Sequence, residues 1–264
     1  MKLFDTHAHY NDSKIYDTRK SLIQKSTLCG VEKIVNVADS LHSLSICADI
    51  ASEYDFMYCT CGIHPSDAKT DMEQNPDWLS SIEKALKNTK AVAIGEIGLD
   101  YHYGKDDIEQ QKICFAKQLE LAQKTGYPVV VHDREAHEDT LELVFSFDNI
   151  TSVFHSYSGS AQMAKELFKR GHYISVNGVV TFKNARKICE ILQDIRSLHK
   201  NALSRLLIET DCPYLTPEPY RGQTNYSELI KYTAVKAASL VGMDTEDFCN
   251  LTYDNGCEFY KIKE

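Results

Sequence analysis

The segment Asp5-Thr6-His7-Ala8-His9 places two imidazoles two residues apart near the start of the chain. In extended backbone, residues two apart point to the same side, so His7 and His9 can aim neutral ring nitrogens at one point. Such a pair alone is more often a structural or surface feature than a cation site. Further polar groups recur along the chain: His64 in Gly62-Ile63-His64-Pro65, Glu96 and Asp100 in Gly95-Glu96-Ile97-Gly98-Leu99-Asp100-Tyr101, and His132 in His132-Asp133-Arg134-Glu135. His155 heads His155-Ser156-Tyr157-Ser158-Gly159, and Glu209 and Asp211 fall in Glu209-Thr210-Asp211-Cys212-Pro213-Tyr214. Imidazoles and carboxylates together are ligands for divalent cations.

The elements between these groups position them. Short β-rich runs occur at Lys2–Thr6, Lys33–Val37, Met57–Cys61, Ala91–Gly95, Pro128–Val131, Ser152–Phe154, Tyr173–Val176 and Leu206–Ile208. Several are continuous apolar runs, as expected of strands covered on both faces. Helical stretches alternate with them. In Ile108–Lys124, Ile108, Cys114 or Phe115, Leu119 and Ala122 recur near helical spacing, and Gly126-Tyr127-Pro128 ends the run. Met163–Arg170 stops at Gly171. Eight alternating units predict an α/β chain folded as a (β/α)8 TIM-type barrel, a single domain over 1–264, with an additional C-terminal helix at Thr245–Tyr260. A doubly wound sheet competes, but no G-x-G-x-x-G follows an early strand.

Each polar group above follows a predicted strand. Parallel barrel strands all end on one face, so the groups converge there. Five histidines and their neighbouring carboxylates on one rim repel or go unsatisfied without cations, and a two-metal site explains their convergence.

Composition narrows the function. The 264 residues carry 29 Lys plus Arg against 38 Asp plus Glu, a formal charge of −9, which excludes a generally basic nucleic-acid coat. Hydrophobic residues at 43% and charged residues at 25% are ordinary globular composition. No run approaches a membrane span, and the N-terminus lacks the apolar core of a signal peptide, so the expected compartment is the cytoplasm. The nine cysteines are scattered with no C-x-x-C pair and read as reduced thiols rather than a zinc site.

The motifs D-T-H-A-H, G-I-H-P, G-E-I-G-L-D-Y, V-V-H-D-R, H-S-Y-S-G and E-T-D-C-P-Y-L, in this order over nearly the whole chain, resemble the TatD family of metal-dependent hydrolases in the amidohydrolase superfamily. The resemblance implies a (β/α)8 barrel and a divalent-metal nuclease acting on DNA ends. It implies that His7, His9 and Asp211 hold one ion, that His132 and His155 hold a second, and that Glu96 bridges them. Such ligands suit Zn, Mn, Mg, Co or Ni. His64 matches a family position that contacts substrate phosphate; otherwise it caps the strand end before Pro65. Glu209, two residues before Asp211, faces the same way if the strand continues and could position a water, orient a ligand or pair with a buried cation. Asp100 supports a histidine from behind. Cys212 packs, His102 could reach the site, and His42, His137, His172 and His199 read as surface residues. One departure stands out. Relatives show R-G-x-x-N-E-P after the eighth strand, whereas here Tyr226-Ser227 replace Glu-Pro in Arg221-Gly222-Gln223-Thr224-Asn225-Tyr226-Ser227.

Two divalent ions about 3.5–4 Å apart can activate a water and stabilise an in-line displacement at phosphorus. Asp211 or Glu209 could take the water's proton. Arg134, Arg221 and Lys183 could contact phosphate, although each is also ordinary solvated charge. Tyr101, Tyr103, Tyr157 and Tyr214 could stack on unpaired bases or merely pack. The leading expectation is a DNase trimming single-stranded ends from 3′ to 5′, with DNA or RNA as substrate and no membrane or obligate protein partner. The alternatives are an amidohydrolase of a small ester or amide, and a binding module on a degenerate barrel. Glu96 in the bridging place, where a carboxylated lysine would favour the amidohydrolases, counts against the first. The complete ligand set counts against the second.

Overall fold

In a computed structural model, residues 1–103 and 105–263 are described. The strands are β1 (Leu3–Ala8), β2 (Val31–Asn36), β3 (Met57–Cys61), β4 (Ala91–Asp100), β5 (Val129–Arg134), β6 (Ser152–Phe154), β7 (Tyr173–Val176) and β8 (Leu206–Ile208). They form one sheet in the order β1 through β8, with helices between them, which is the (β/α)8 TIM-type fold. The pairs β3–β4, β4–β5, β5–β6 and β7–β8 are parallel.

Four strands have the expected bounds. Three others run further, and each extension takes in site residues. β1 continues to Ala8, β4 to Asp100 and β5 to Arg134. Polarity made these residues look like loop, but pairing decides. Ile97, Gly98, Leu99 and Asp100 stand opposite Val131, His132, Asp133 and Arg134, and all ten residues of β4 are buried. His7, Glu96, Asp100 and His132 therefore sit in strands rather than after them.

The chain packs as two compact units, one of Met1–Val35 with the chain from Ser156 onward, the other of Asn36–His155. In the first, β1 joins β8: Thr6 Oγ1 donates to the Ile208 carbonyl at 2.9 Å, the Asp211 amide donates to His7 O at 2.9 Å, and Ala8 and Cys212 form a parallel bridge. The helix Thr245–Phe259, one residue shorter than expected, is capped by the Asp244 carboxylate and packs on β1 and β8. Tyr260 just beyond it donates its hydroxyl to Thr6 O at 2.8 Å.

In the second unit the helix Ile108–Thr125 covers β4 and ends at Gly126, whose φ of 75° is the left-handed cap expected at that stop. Its buried face carries two glutamines among the apolar residues. Gln118 clamps Ile63, accepting from its N–H at 2.8 Å and donating to its carbonyl at 3.1 Å. Gln111 does the same to Asp100, at 2.8 and 3.1 Å. One helix face thus fixes both the turn before His64 and the end of β4. The sequence pattern showed only the apolar half of that face. Gly62 and Gly95 let β3 and β4 approach closely here, because a Cβ on Gly62 would lie 2.7 Å from the Gly95 carbonyl carbon.

His172, expected at the surface, is only 5% exposed. Burial, reinforced by the charges of Arg170 and Arg205, depresses its imidazole to about 4. The unfolded chain then binds a proton that the folded chain refuses between pH 6.5 and 4, so stability falls as pH drops through that window. Denaturant melts are expected to show a loss on the order of 3 kcal/mol from this group. His172→Gln is expected to flatten that slope, and an unchanged slope would show that other groups set it.

Candidate metal centre

Two sets of ligand atoms stand at strand ends. The first lies in the unit that holds β1 and β8. The Nε2 atoms of His7 and His9 are 3.1 Å apart, as expected for alternate residues leaving β1, and they lie 3.7 and 3.5 Å from Asp211 Oδ1. Both imidazoles are buried, whereas the Asp211 side chain keeps 14% exposure. Asp211 adopts φ 57°, left-handed backbone that costs a non-glycine residue on the order of 1–2 kcal/mol. Its amide bond to His7 O and the neighbouring Thr210 hold it there. Thr210 donates from N–H and hydroxyl to the Asp5 carboxylate at 2.9 and 2.6 Å. Complete burial pushes Asp5 up to about 6, against the hydrogen bonds from Ser227 and Thr210 that pull it down. Asp5 thus anchors the Asp211 turn to β1, a role its place in the D-T-H-A-H motif does not reveal.

The second set surrounds Glu96. Register slips between Ile94 and Ile97, and Glu96 N–H turns to Ala38 O at 2.9 Å, an irregularity of the kind that re-aims a side chain. Glu96 Oε1 lies 2.7 Å from His155 Nε2, 2.8 Å from His132 Nδ1 and 3.7 Å from His64 Nε2. Asp100 Oδ2 holds the other nitrogen of His132 at 3.1 Å, as expected of a residue supporting that histidine from behind. Burial alone would depress the His132 imidazole, but its bonds to Asp100 and Glu96 hold it above its ordinary value. Burial likewise works against ionisation of Asp100, and the bonds from His132 and the Tyr103 and His102 amides reverse this, setting it at about 2.

The donor sets fit divalent cations. His7, His9 and Asp211 offer ligand atoms within 4.8 Å of one another, and so do His64, Glu96 and His132. Imidazoles whose nitrogens converge on each other or on one carboxylate oxygen need a proton or a cation between them, and oxygen with imidazole and no thiolate suits the metals named above.

Other expected residues fall elsewhere. Glu209 is 1% exposed and beyond the end of β8, so the alternation that would align it with Asp211 is broken. Its carboxylate accepts from Ser156 N–H at 2.8 Å, Ser175 Oγ at 2.5 Å and Asn177 Nδ2 at 3.4 Å. The exposed Arg134 guanidinium packs 4.7 Å from the centre of the Tyr103 ring, and that of Arg221 lies 4.1 Å over Phe182. Lys183 is exposed, and His102 pairs with Glu135 at the surface at 2.7 Å. Tyr157 is buried and donates to Ser160 O, which removes it from the tyrosines open for stacking; Tyr103 and Tyr214 stay exposed. The altered loop is held firmly. Buried Asn225 donates to Thr210 O at 2.9 Å and Tyr214 O at 2.6 Å, and Ser227 Oγ accepts from the Tyr10 hydroxyl at 2.8 Å. Ser227, one of the two substituted residues, thus serves the Asp5–Tyr10 network.

The family described as TatD related DNase matches residues 4–261. The chain belongs to the TatD family. It is 37% identical to the uncharacterized metal-dependent hydrolase YabD of Bacillus subtilis (strain 168), over 98% of this chain and 99% of that protein. It is 29% identical to the uncharacterized metal-dependent hydrolase YcfH of Escherichia coli (strain K12), over 99% and 97%. Among solved structures, the TatD homologue YJJV of Escherichia coli K12 superposes with a TM-score of 0.89 at 26% identity, covering 99% of this chain and 98% of that one. The protein is a metal-dependent hydrolase of the TatD family.

His64 is the TatD-family residue whose role is open to direct test. Its ring lies 4.4 Å from that of His132, its side chain is 17% exposed, and its Nδ1 is engaged with Ser66 Oγ at 2.5 Å. His64→Ala is expected to keep the full metal complement while hydrolase activity falls. Metal analysis showing one ion lost would make His64 a ligand.

Proposed function

We propose that this protein is a two-metal deoxyribonuclease that trims single-stranded DNA ends from 3′ to 5′, with RNA as a second substrate and residues 1–264 as its single catalytic domain. In this reading His7, His9 and Asp211 would hold one ion and His132 and His155 the other, with Glu96 as the carboxylate they share. The observation that carries it is the pair of imidazole–carboxylate sets at strand ends in a chain matching the TatD related DNase family. The working compartment is the cytoplasm, where nine free thiols stay reduced; among the described residues no helix is long and apolar enough to cross a membrane.

Divalent ions held there supply Lewis-acid polarisation of the phosphoryl group and acidify the attacking water. The chain does the rest. His64, partly open on the same side as Glu96, hydrogen-bonds a phosphate oxygen. Asp211, held open by its left-handed turn, accepts the water's proton. Glu209 has its oxygens committed to Ser156, Ser175 and Asn177, which favours Asp211 over it as proton acceptor. Arg134 and Arg221, on exposed rims, meet phosphates further along the strand.

With net charge −9 and no basic stripe in the sequence, the protein holds duplex poorly, and frayed ends enter more readily than continuous duplex. A 3′ single-stranded overhang is expected to shorten faster than a blunt duplex or a closed circle, giving a stepwise ladder on end-labelled oligonucleotides. Closed circles cut as fast as free ends would replace trimming with endonuclease action. If no phosphodiester is cut with Mg²⁺, Mn²⁺, Co²⁺ or Zn²⁺ while a small ester or amide is, the amidohydrolase reading takes over.

A further inference from the structure

Two exposed tyrosines adjoin the turn that follows His9, and a cation lies over each ring. Lys14 Nζ stands 4.1 Å from the centre of the Tyr214 ring, and the Arg19 guanidinium stands 3.9 Å from that of Tyr16. The Arg19 head is pinned there by its bond to Tyr16 O at 2.6 Å. The two rings keep 41% and 37% exposure. All four residues belong to the compact unit that also holds His7, His9 and Asp211.

Asp12 ties this group to the His7–His9–Asp211 set. Its N–H donates to His9 O at 3.0 Å, and its carbonyl accepts from the Tyr16 amide at 2.9 Å. Its carboxylate accepts from the Lys14 amide at 2.7 Å and from the Tyr214 hydroxyl at 2.5 Å. The Tyr214 amide in turn donates to Asp211 O at 2.9 Å. The Tyr214 ring therefore spans from the turn that carries Asp211 to the turn that follows His9. Hydrogen bonds at both ends set its place beside those two residues.

A ring held at its hydroxyl and backed by a cation is preorganised to stack on a flat base, and the cation beside it can meet a phosphate of the same strand. The segment Asp12–Lys20 carries Lys14, Arg19 and Lys20 against Asp12 and Asp17, a local basic excess in a chain of net charge −9. Aromatic faces paired with cations suit a single strand. A duplex keeps its base faces stacked inside and has none to offer.

We propose that Tyr214 with Lys14, and Tyr16 with Arg19, form a stacking track for unpaired bases of the DNA strand bound at the His7–His9–Asp211 set, a site that rests on the nuclease reading above. The test uses the full-length, metal-loaded protein and two fluorescent strands of equal length. One is oligothymidine and the other is fully abasic. Both carry a phosphorothioate backbone, which keeps the charge and resists cutting. By fluorescence anisotropy, the thymidine strand is expected to bind about tenfold tighter, or more, than the abasic strand. Tyr214→Leu and Tyr16→Leu are each expected to shrink that preference several-fold with metal content unchanged. Tyr214→Phe, which keeps the ring and gives up only the bond to Asp12, is expected to keep most of it. Lys14→Gln is expected to weaken both strands alike.

Equal affinity for the two strands overturns the track, as does a preference that survives in both folded leucine variants. If Tyr214→Phe behaves as Tyr214→Leu does, the effect belongs to the Asp12 bond and stacking at Tyr214 is overturned. Cutting of an unmodified strand is scored separately. A base preference lost in the leucine variants, with no strand cut, keeps the track and removes the nuclease reading. Cutting without a base preference removes the track alone.

Discussion

Glu96→Ala is expected to leave at most one tightly held ion and to slow phosphodiester cleavage by at least about 100-fold, since metal activation supplies several kcal/mol of barrier lowering. The size of the effect follows from geometry. One carboxylate oxygen gathers His155 at 2.7 Å, His132 at 2.8 Å and His64 at 3.7 Å, so its loss removes the common partner of three imidazoles. The Asp100–His132 contact survives the substitution and keeps one imidazole oriented. Metal content by plasma mass spectrometry and turnover on a labelled oligonucleotide are measured on the same sample, with a thermal melt to confirm folding. Near-normal activity with two metals retained would overturn the bridging assignment.

Glu209→Ala is expected to destabilise the fold by about 3 kcal/mol or more, because it strands buried donors on Ser156, Ser175 and Asn177. Activity falls with it, since the Ser156 turn at φ 46° follows His155 directly and loses its anchor. Glu209→Gln decides the role. The amide keeps one carbonyl acceptor, and its N–H groups can still meet the Ser175 hydroxyl, so stability, metal content and most activity are expected to return. A Gln variant that is stable and metal-replete yet inactive would identify Glu209 as the proton acceptor in place of Asp211. The pH-rate profile separates the cases, because loss of a base removes the acidic limb and loss of an anchor does not.

Much of this protein was legible from residue types and spacing. Short β-rich runs of three to five residues, alternating with helical stretches, located all eight strands, because both signals are local and survive without a partner. The i, i+2 spacing of His7 and His9 placed their nitrogens together, as the 3.1 Å separation shows, because both residues leave one extended segment. The same rule applied to Glu209 and Asp211 gave the opposite outcome. The strand ends at Ile208, and the chain turns through a left-handed Asp211 whose amide is bound by His7 O.

What tertiary structure alone decided has one physical origin. The direction of a side chain beyond a strand's last residue is set by hydrogen bonds to distant chain, which no local pattern encodes. Asp5 holds Thr210 across 205 residues, Gln118 clamps Ile63 across 55, and Ser227 takes the Tyr10 hydroxyl across 217. The length of β4 was likewise invisible, since Glu96 and Asp100 carry the polarity of a loop and stay in the strand only because β5 pairs with them. The sequence determined which atoms could bind metal and the order in which strands present them. The fold decided which carboxylate faces the imidazoles and which is spent on buried donors, because a buried charge is tolerated only where partners meet it.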